Sequence, residues 1–160
     1  MEKVNLGLVG YGVVGSGVVK LLQQRRNFIR TRYSIDFNIK SICDRRIYLK
    51  KNRELKGIRL TKNFNEILTD KEIDVVVELI GGTNPAEEVV LGAIKNGKHV
   101  VTANKELLAQ CGRKIFREAE LRKRDIYFEA SVGAGIPIIK CIREGLAGNK
   151  FNALYGIITW

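Results

Sequence analysis

The chain has 160 residues, 45% of them hydrophobic and 28% charged, which leaves room for one globular domain and the beginning of another. No apolar run approaches the roughly 18 residues of a membrane-spanning helix, and the first residues do not have the pattern of a secretory signal, so we do not expect one. Three widely spaced cysteines argue against a disulfide framework and against a metal cluster, so we expect a cytoplasmic protein without a membrane partner.

The net charge of +11 is concentrated in residues 20–62, which contain fourteen Lys and Arg but only three Asp and Glu. A basic stretch can mark nucleic-acid binding. We expect few exposed aromatic residues in this window, and it has no recognised nucleic-acid motif, so nucleic acid is not an expected partner. A solvated basic surface is the simpler interpretation, and a local field that attracts an anionic ligand is the alternative.

Apolar runs typical of strands alternate with helical patterns along the chain. Strands are predicted at residues 5–9, 37–42, 74–80, 99–103 and 126–130. Apolar residues at helical spacing predict helices at residues 14–22, 85–97, 106–124 and 137–146. Residues 45–62 are predicted to form a loop with a frayed helix. The alternation predicts an α/β fold with a doubly wound, mostly parallel sheet.

A glycine-rich turn, Gly10-Tyr11-Gly12-Val13-Val14-Gly15, joins the first predicted strand to the first predicted helix. In this pattern the first glycine allows a tight turn, the second lets the backbone approach a pyrophosphate, and the third permits close packing of helix on strand. The helix N-terminus adds free N–H groups and a positive dipole end. The turn therefore predicts a Rossmann-type domain in residues 1–135 that binds NAD or NADP. A merely tight strand-to-helix turn is the alternative.

Asp44 ends the second predicted strand, where an acidic residue can bind the adenosine ribose, although its spacing from the glycines is longer than usual. Arg45 and Arg46 follow it. An aspartate favours the free hydroxyls of NAD, whereas an arginine can bind the 2′-phosphate of NADP. The sequence leaves this choice open, and a turn residue in a surface ion pair is the alternative role for Asp44.

Two other segments follow predicted strands and are expected at the carboxyl edge of the sheet, where parallel sheets bind ligands. In Gly81-Gly82-Thr83, small residues at Gly82 and Thr83 would let a cofactor lie close to the backbone. In Thr102-Ala103-Asn104-Lys105, the lysine stands at a helix entrance. Lys105 could donate to a developing alkoxide or shuttle a proton. By position alone, a solvated surface lysine is the simpler interpretation.

Five blocks of the sequence resemble homoserine dehydrogenases, and together they cover most of the chain outside the basic window. The blocks are Gly7 to Gly15, Glu78 to Ala86, Gly97 to Lys105, Glu129 to Ile138 and Arg143 to Asn149. The resemblance implies NAD(P)-dependent interconversion of L-homoserine and L-aspartate 4-semialdehyde, on the route to threonine and methionine.

The resemblance also implies roles for single residues. In this family the lysine of the Thr-Ala-Asn-Lys motif is implicated in catalysis and lies where cofactor and substrate meet, which implies a catalytic and cofactor-contacting Lys105. Some members bind a monovalent cation through backbone carbonyls, which implies a sodium site at Glu129, Val132, Ala134 and Ile136. A hinge between domains is the alternative for that segment. A small-molecule substrate and a homodimer are expected for the full-length protein.

Two departures from the family pattern shape these expectations. Family members commonly follow Gly-Ile and a variable residue with Asn-Gly-Thr, whereas Gly156-Ile157-Ile158 is followed here by Thr159-Trp160. Family enzymes are also much longer, and they carry a second catalytic lysine and substrate-binding carboxylates in a later domain. We therefore expect residues 136–160 to begin a second domain, and the chain to be a fragment that binds cofactor but turns over feebly or not at all.

Two other interpretations remain open at the level of sequence. Aspartate dehydrogenase-like and dihydrodipicolinate reductase-like enzymes share the opening turn, but we do not expect them to share both the Thr-Ala-Asn-Lys and the Ala-Gly-Ile-Pro blocks. A cofactor-binding regulatory module that senses redox state is the alternative outside catalysis.

Overall fold

The computed structural model describes residues 1–49, 55–133, 135–153 and 155–156, and a six-stranded parallel sheet forms its centre. The strands are β1 (Glu2–Val9), β2 (Ile35–Cys43), β3 (Arg59–Thr61), β4 (Val75–Glu78), β5 (His99–Thr102) and β6 (Ile126–Tyr127). Their order across the sheet is β3-β2-β1-β4-β5-β6. The order reverses between β1 and β4, so the ligand crevice of this fold lies beyond the carboxyl ends of those two strands. The predicted Rossmann-type sheet is confirmed.

Helices cover both faces of the sheet. They are α1 (Val13–Tyr33), α2 (Asn65–Leu68), α3 (Ala86–Lys95), α4 (Lys105–Leu121) and α5 (Ile138–Lys140). On one face, Leu6 and Leu8 of β1 pack with Val19 of α1. On the other, Val76 and Val100 pack in the core formed with α2, α3 and α4. The central strands are apolar on both sides for this reason, as in other parallel sheets. No helix in the described part of the chain is long and apolar enough to cross a membrane.

The basic window contains more regular structure than the predicted loop with a frayed helix. Residues 59–61 form the edge strand β3, and Ile47–Leu49 form a 3-10 turn. Residues 50–54 lie outside the described part of the chain. β3 has only three residues, of which Arg59 is exposed, so an apolar periodicity cannot reveal it. Its pairing with β2 holds it in the sheet.

Several other boundaries differ from the predictions, among them those of α1, β6 and the last predicted helix. α1 continues to Tyr33, beyond the predicted end at residue 22. The prediction stopped early because the second half of the helix is mostly polar and solvent-exposed and carries no apolar stripe. β6 stops at Tyr127, and Glu129–Ser131 form a 3-10 turn in place of the predicted strand end. The predicted helix at residues 137–146 is α5 followed by a π-helical turn, Cys141–Gly145.

A buried lysine joins two segments at the amino edge of the sheet. Lys98, the residue before β5, is 3% exposed. Its Nζ donates to the carbonyl oxygen of Ile73 at 2.8 Å and to that of Asp70. Burial lowers the pKa of Lys98. The lysine thus satisfies two carbonyls of the loop that leads into β4, which a buried backbone requires.

Acid is expected to destabilise this fold. The hydrogen-bonded Arg26 guanidinium lowers the pKa of Asp36, and the Lys40 ammonium lowers that of Asp70. A carboxyl with a depressed pKa stabilises the fold above its unfolded value of about 4, and this stabilisation is lost as pH falls through the folded value. The melting temperature, followed by circular dichroism, should therefore fall as the pH drops below about 4. Asp36→Asn should lower it at neutral pH and reduce the acid-induced fall, whereas the control Glu88→Gln on α3 should not. Identical pH profiles for Asp36→Asn and the parent would contradict this.

Candidate cofactor-binding site

The turn between β1 and α1 requires glycine at its first and third glycine positions. Gly10 has a φ of 107°, and a Cβ placed on it would lie 2.6 Å from the carbonyl oxygen of Leu79. A Cβ on Gly15 would lie 2.2 Å from the carbonyl oxygen of Gly10. Both distances are far shorter than van der Waals contact. These glycines therefore let the chain turn sharply and let α1 pack against the turn, as the pattern predicts.

Gly12, the second glycine of the pattern, faces open space instead. A Cβ on it would meet no described atom within 4 Å. Gly12 is also the N-cap of α1, where no side chain caps the helix and no acidic residue stands in the first turn. The helix N-terminus thus presents its N–H groups and positive dipole end to an open cradle. Such a cradle fits a pyrophosphate.

The other residues of the turn contribute in different ways. The Tyr11 side chain is buried in the core beneath α1, so only its backbone belongs to the turn. Val13 is 92% exposed and Val14 57% exposed, at the surface beside the cradle. Their contact with a cofactor remains a prediction. The turn as a whole has the shape that the sequence predicts.

Asp44 connects the glycine turn to the end of β2. Its Oδ2 accepts a hydrogen bond from the Tyr11 backbone N–H at 3.0 Å, and its Oδ1 accepts one from the Arg46 N–H at 2.8 Å. Both of these donors are backbone amides. Arg45 and Arg46 are exposed at the same end of β2. The carboxylate therefore fixes the turn, and its predicted bond to a ribose remains a prediction.

A buried polar network that the sequence did not predict lies at the carboxyl ends of β4 and β5. Glu78, Thr102 and Asn104 are each no more than 6% exposed. The Thr102 hydroxyl donates to Glu78 Oε2 at 2.6 Å, and it accepts a hydrogen bond from the Asn104 N–H at 3.0 Å. The signal in the sequence was an acidic residue within the apolar run of β4. Such a residue is buried only when it has partners.

The same network brings two predicted site segments together. Asn104 caps α4, since its Oδ1 accepts from the Leu107 N–H at 3.0 Å. Its Nδ2 donates to the carbonyl oxygen of Gly82 at 2.6 Å. Lys105, the first residue of α4, is exposed at this edge. Gly82 and Thr83, in the loop after β4, therefore lie next to the start of α4, where Lys105 stands.

The segment of the predicted cation site is a set of turns after β6. The Glu129 carboxylate accepts from the N–H groups of Ile139 at 2.9 Å and Lys140 at 2.7 Å. Burial acts to raise the pKa of Glu129, but these backbone donors lower it overall. Val132 and Ile136 are exposed, and Ala134 lies outside the described residues. Within the described residues, no cluster of His, Cys, Asp or Glu could hold a metal ion by side chains.

Comparisons of the sequence and the fold with known proteins identify similar proteins that bind a dinucleotide cofactor in name. A family model described as "Homoserine dehydrogenase, NAD binding domain" matches residues 10–129. The homoserine dehydrogenase of Neisseria gonorrhoeae is 45% identical over 99% of the chain, which covers 36% of that relative. A crystal structure of a homoserine dehydrogenase from Thiobacillus denitrificans has a TM-score of 0.85 and 42% identity over 92% of this chain and 34% of its own.

A more distant neighbour shares the fold alone. It is a hyperthermophilic archaeal homoserine dehydrogenase in complex with NADPH, with a TM-score of 0.73 and 24% identity over 91% of this chain and 50% of that one. The chain spans about a third of the length of the curated relatives that it matches. Because the family model covers the glycine turn, the crevice and most of the sheet, the chain belongs to the family of homoserine dehydrogenase NAD-binding domains.

Proposed function

We propose that this chain is the cofactor-binding part of an enzyme that interconverts L-homoserine and L-aspartate 4-semialdehyde, in threonine and methionine biosynthesis. The observation that carries the proposal is the open cradle at Gly12, at the N-terminus of α1 and at the switch in strand order. Membership of the family supports the choice of reaction over aspartate dehydrogenase-like chemistry. The bound NAD or NADP would supply the hydride acceptor or donor.

The chain's own residues would bind the cofactor along the carboxyl edge. The backbone of Gly12 and the first turn of α1 would hold the pyrophosphate. A Cβ on Gly82 would meet no described atom within 4 Å, so the cofactor can approach the backbone there as well. Lys105, at the entrance of α4, would donate a hydrogen bond to the substrate oxygen and stabilise negative charge that develops on it.

The cofactor's ribose end would meet Asp44, Arg45 and Arg46. Because Asp44 already accepts two backbone hydrogen bonds, the arginines are the main distinguishing groups at this end. Their exposed guanidinium groups support a preference for the 2′-phosphate of NADP. NAD remains the alternative.

A cation and a second domain form part of the same proposal. The carbonyls of Glu129, Val132, Ala134 and Ile136 would bind sodium, since backbone oxygens suit hard cations. Residues 136–160 would begin the substrate and dimerisation domain of a homodimer. Large apolar side chains exposed in this segment support that proposal, among them Ile136 at 67% and Tyr155 at 93%. Three free cysteines are consistent with a cytoplasmic protein.

A titration with NADH and NADPH, followed by the fluorescence of the reduced nicotinamide, tests the proposal on the 160-residue chain. We expect both cofactors to bind. Arg45→Ala should weaken NADPH binding about tenfold and leave NADH binding unchanged, because it removes a charge-assisted hydrogen bond. Arg113→Ala, which removes an exposed arginine on α4, is the matched control.

Three further outcomes discriminate between functions. Absence of binding to either cofactor would refute the proposal. Steeply salt-dependent binding to a short DNA duplex at two salt concentrations would favour a regulatory module instead. We expect little or no homoserine oxidation by this chain, because the family's other substrate-binding residues belong to a later part of its members. Rapid oxidation would contradict that expectation and support the reaction itself.

A further inference from the structure

Glu78 is an acidic side chain without access to solvent at the last position of β4. It is 0% exposed, and the preceding residues of the strand, Val76 and Val77, are core residues. In the parallel register, Glu78 lies opposite Val9 of β1 on one side and Thr102 of β5 on the other. Burying a carboxyl costs free energy unless its oxygens are bonded. A buried acid at this position is therefore expected to accept hydrogen bonds that an apolar residue could not accept.

Both oxygens of Glu78 bind the chain where it leaves a strand. Oε1 accepts from the Ile80 N–H at 2.8 Å, just before Gly81 and Gly82. Oε2 accepts from the Thr102 hydroxyl at 2.6 Å, at the end of β5. One carboxylate thus fixes the exits of two adjacent strands, whose axes are about 4.8 Å apart in a sheet.

The network continues from Thr102 to Lys105. The Thr102 hydroxyl accepts from the Asn104 N–H at 3.0 Å. Asn104 in turn binds Gly82 and caps α4, so its side chain sets the direction in which that helix starts. Lys105 is the next residue. Its backbone position relative to the Gly82 loop therefore depends on a continuous series of hydrogen bonds that begins at Glu78.

We infer that Glu78 and Thr102 are positioning residues for the nicotinamide end of the crevice, and that they act through Asn104 on Lys105. This inference rests on the proposed function. The pyrophosphate end is held by the glycine turn and Asp44. Gly10 lies against Leu79 and Ile80 at the exit of β4, whereas Thr102 and Asn104 lie at the exit of β5. Loss of the Thr102 hydroxyl should therefore affect the nicotinamide end of the bound dinucleotide and spare the pyrophosphate end.

Thr102→Val tests the inference, because valine keeps the shape of threonine and removes its hydroxyl. The first readout compares binding of NADH with binding of ADP-ribose, which lacks the nicotinamide. We expect the affinity for NADH to fall about tenfold, the equivalent of one lost hydrogen bond, and the affinity for ADP-ribose to stay within about twofold. Equal losses for both ligands would indicate a merely structural role and overturn the inference.

The second readout is backbone amide hydrogen exchange in the chain without cofactor. Thr102→Val should speed exchange at Asn104 and Leu107 and leave the amides of the glycine turn unchanged. Thr102→Ser, which keeps the hydroxyl, should rescue both the exchange rates and the NADH affinity. Unchanged exchange at Asn104 in Thr102→Val would overturn the inference.

Glu78→Gln provides a second variant if Thr102→Val does not fold. Its amide keeps one acceptor for two donors, so a smaller increase in exchange at Asn104 and a smaller loss of NADH affinity are expected. Failure of the parent chain to bind either NADH or ADP-ribose would refute the proposed function. The exchange measurement would still support or overturn the hydrogen-bond network by itself.

Discussion

Gly12→Ala should weaken binding of NADH and NADPH by about tenfold or more, equivalent to about 1.4 kcal/mol or more, while the chain keeps its melting temperature. The added methyl group would project into the open cradle, where no described atom lies within 4 Å. Gly12 has a φ of −86° and a ψ of −152°, an extended conformation outside the left-handed region that favours glycine. The substitution therefore blocks the approach of a pyrophosphate without disturbing the fold.

Cofactor fluorescence and thermal unfolding by circular dichroism measure the two halves of this prediction. Gly17→Ala is the matched control, because Gly17 also faces open space but lies further along α1. It should bind both cofactors normally. Normal cofactor binding by Gly12→Ala would show that the pyrophosphate does not lie over this turn.

Gly15→Ala, in contrast to Gly12→Ala, should lower the free energy of unfolding of the chain by about 3 kcal/mol, as overpacking of a tight site does. Its Cβ would overlap the carbonyl oxygen of Gly10 at 2.2 Å, and neither group belongs to a flexible side chain. Either α1 must move away from the turn or the turn must open. Both movements also remove the cradle, so cofactor affinity should fall together with stability.

Urea unfolding gives the free energy, and the melting temperature should fall by about 10 °C for a chain of this size. Gly17→Ala again serves as the control. It should stabilise α1 slightly, because alanine has a helix propensity up to about 1 kcal/mol better than glycine. A melting temperature for Gly15→Ala equal to that of the parent would mean that the close packing of α1 on the turn is not required.

The features that local chemistry determines could be predicted from the sequence. The central strands are short, β-branched apolar runs between turn residues, and their length and flanking residues favour a buried strand over a helix. The glycine turn combines a backbone requirement with a helix start, and both are local. The fold class and the cradle at Gly12 follow from these two signals.

The features that depend on register could not be predicted. Glu78 and Thr102 are 24 residues apart, and only the pairing of β4 with β5 places them side by side. The bond from the Tyr11 N–H to Asp44 likewise depends on the pairing of β1 with β2. The edge strand β3 was missed because three residues carry too short a pattern.

The bond between Asp44 and the Tyr11 amide constrains how the cofactor choice of this chain could be redesigned. In many proteins the acidic residue after the second strand is the natural position to exchange when NAD is to replace NADP or the reverse. Here the same carboxylate also holds the glycine turn in place. Replacing Asp44 would loosen the glycine turn along with the proposed ribose contact. Substitutions at Arg45 and Arg46, whose side chains are exposed, offer the safer route.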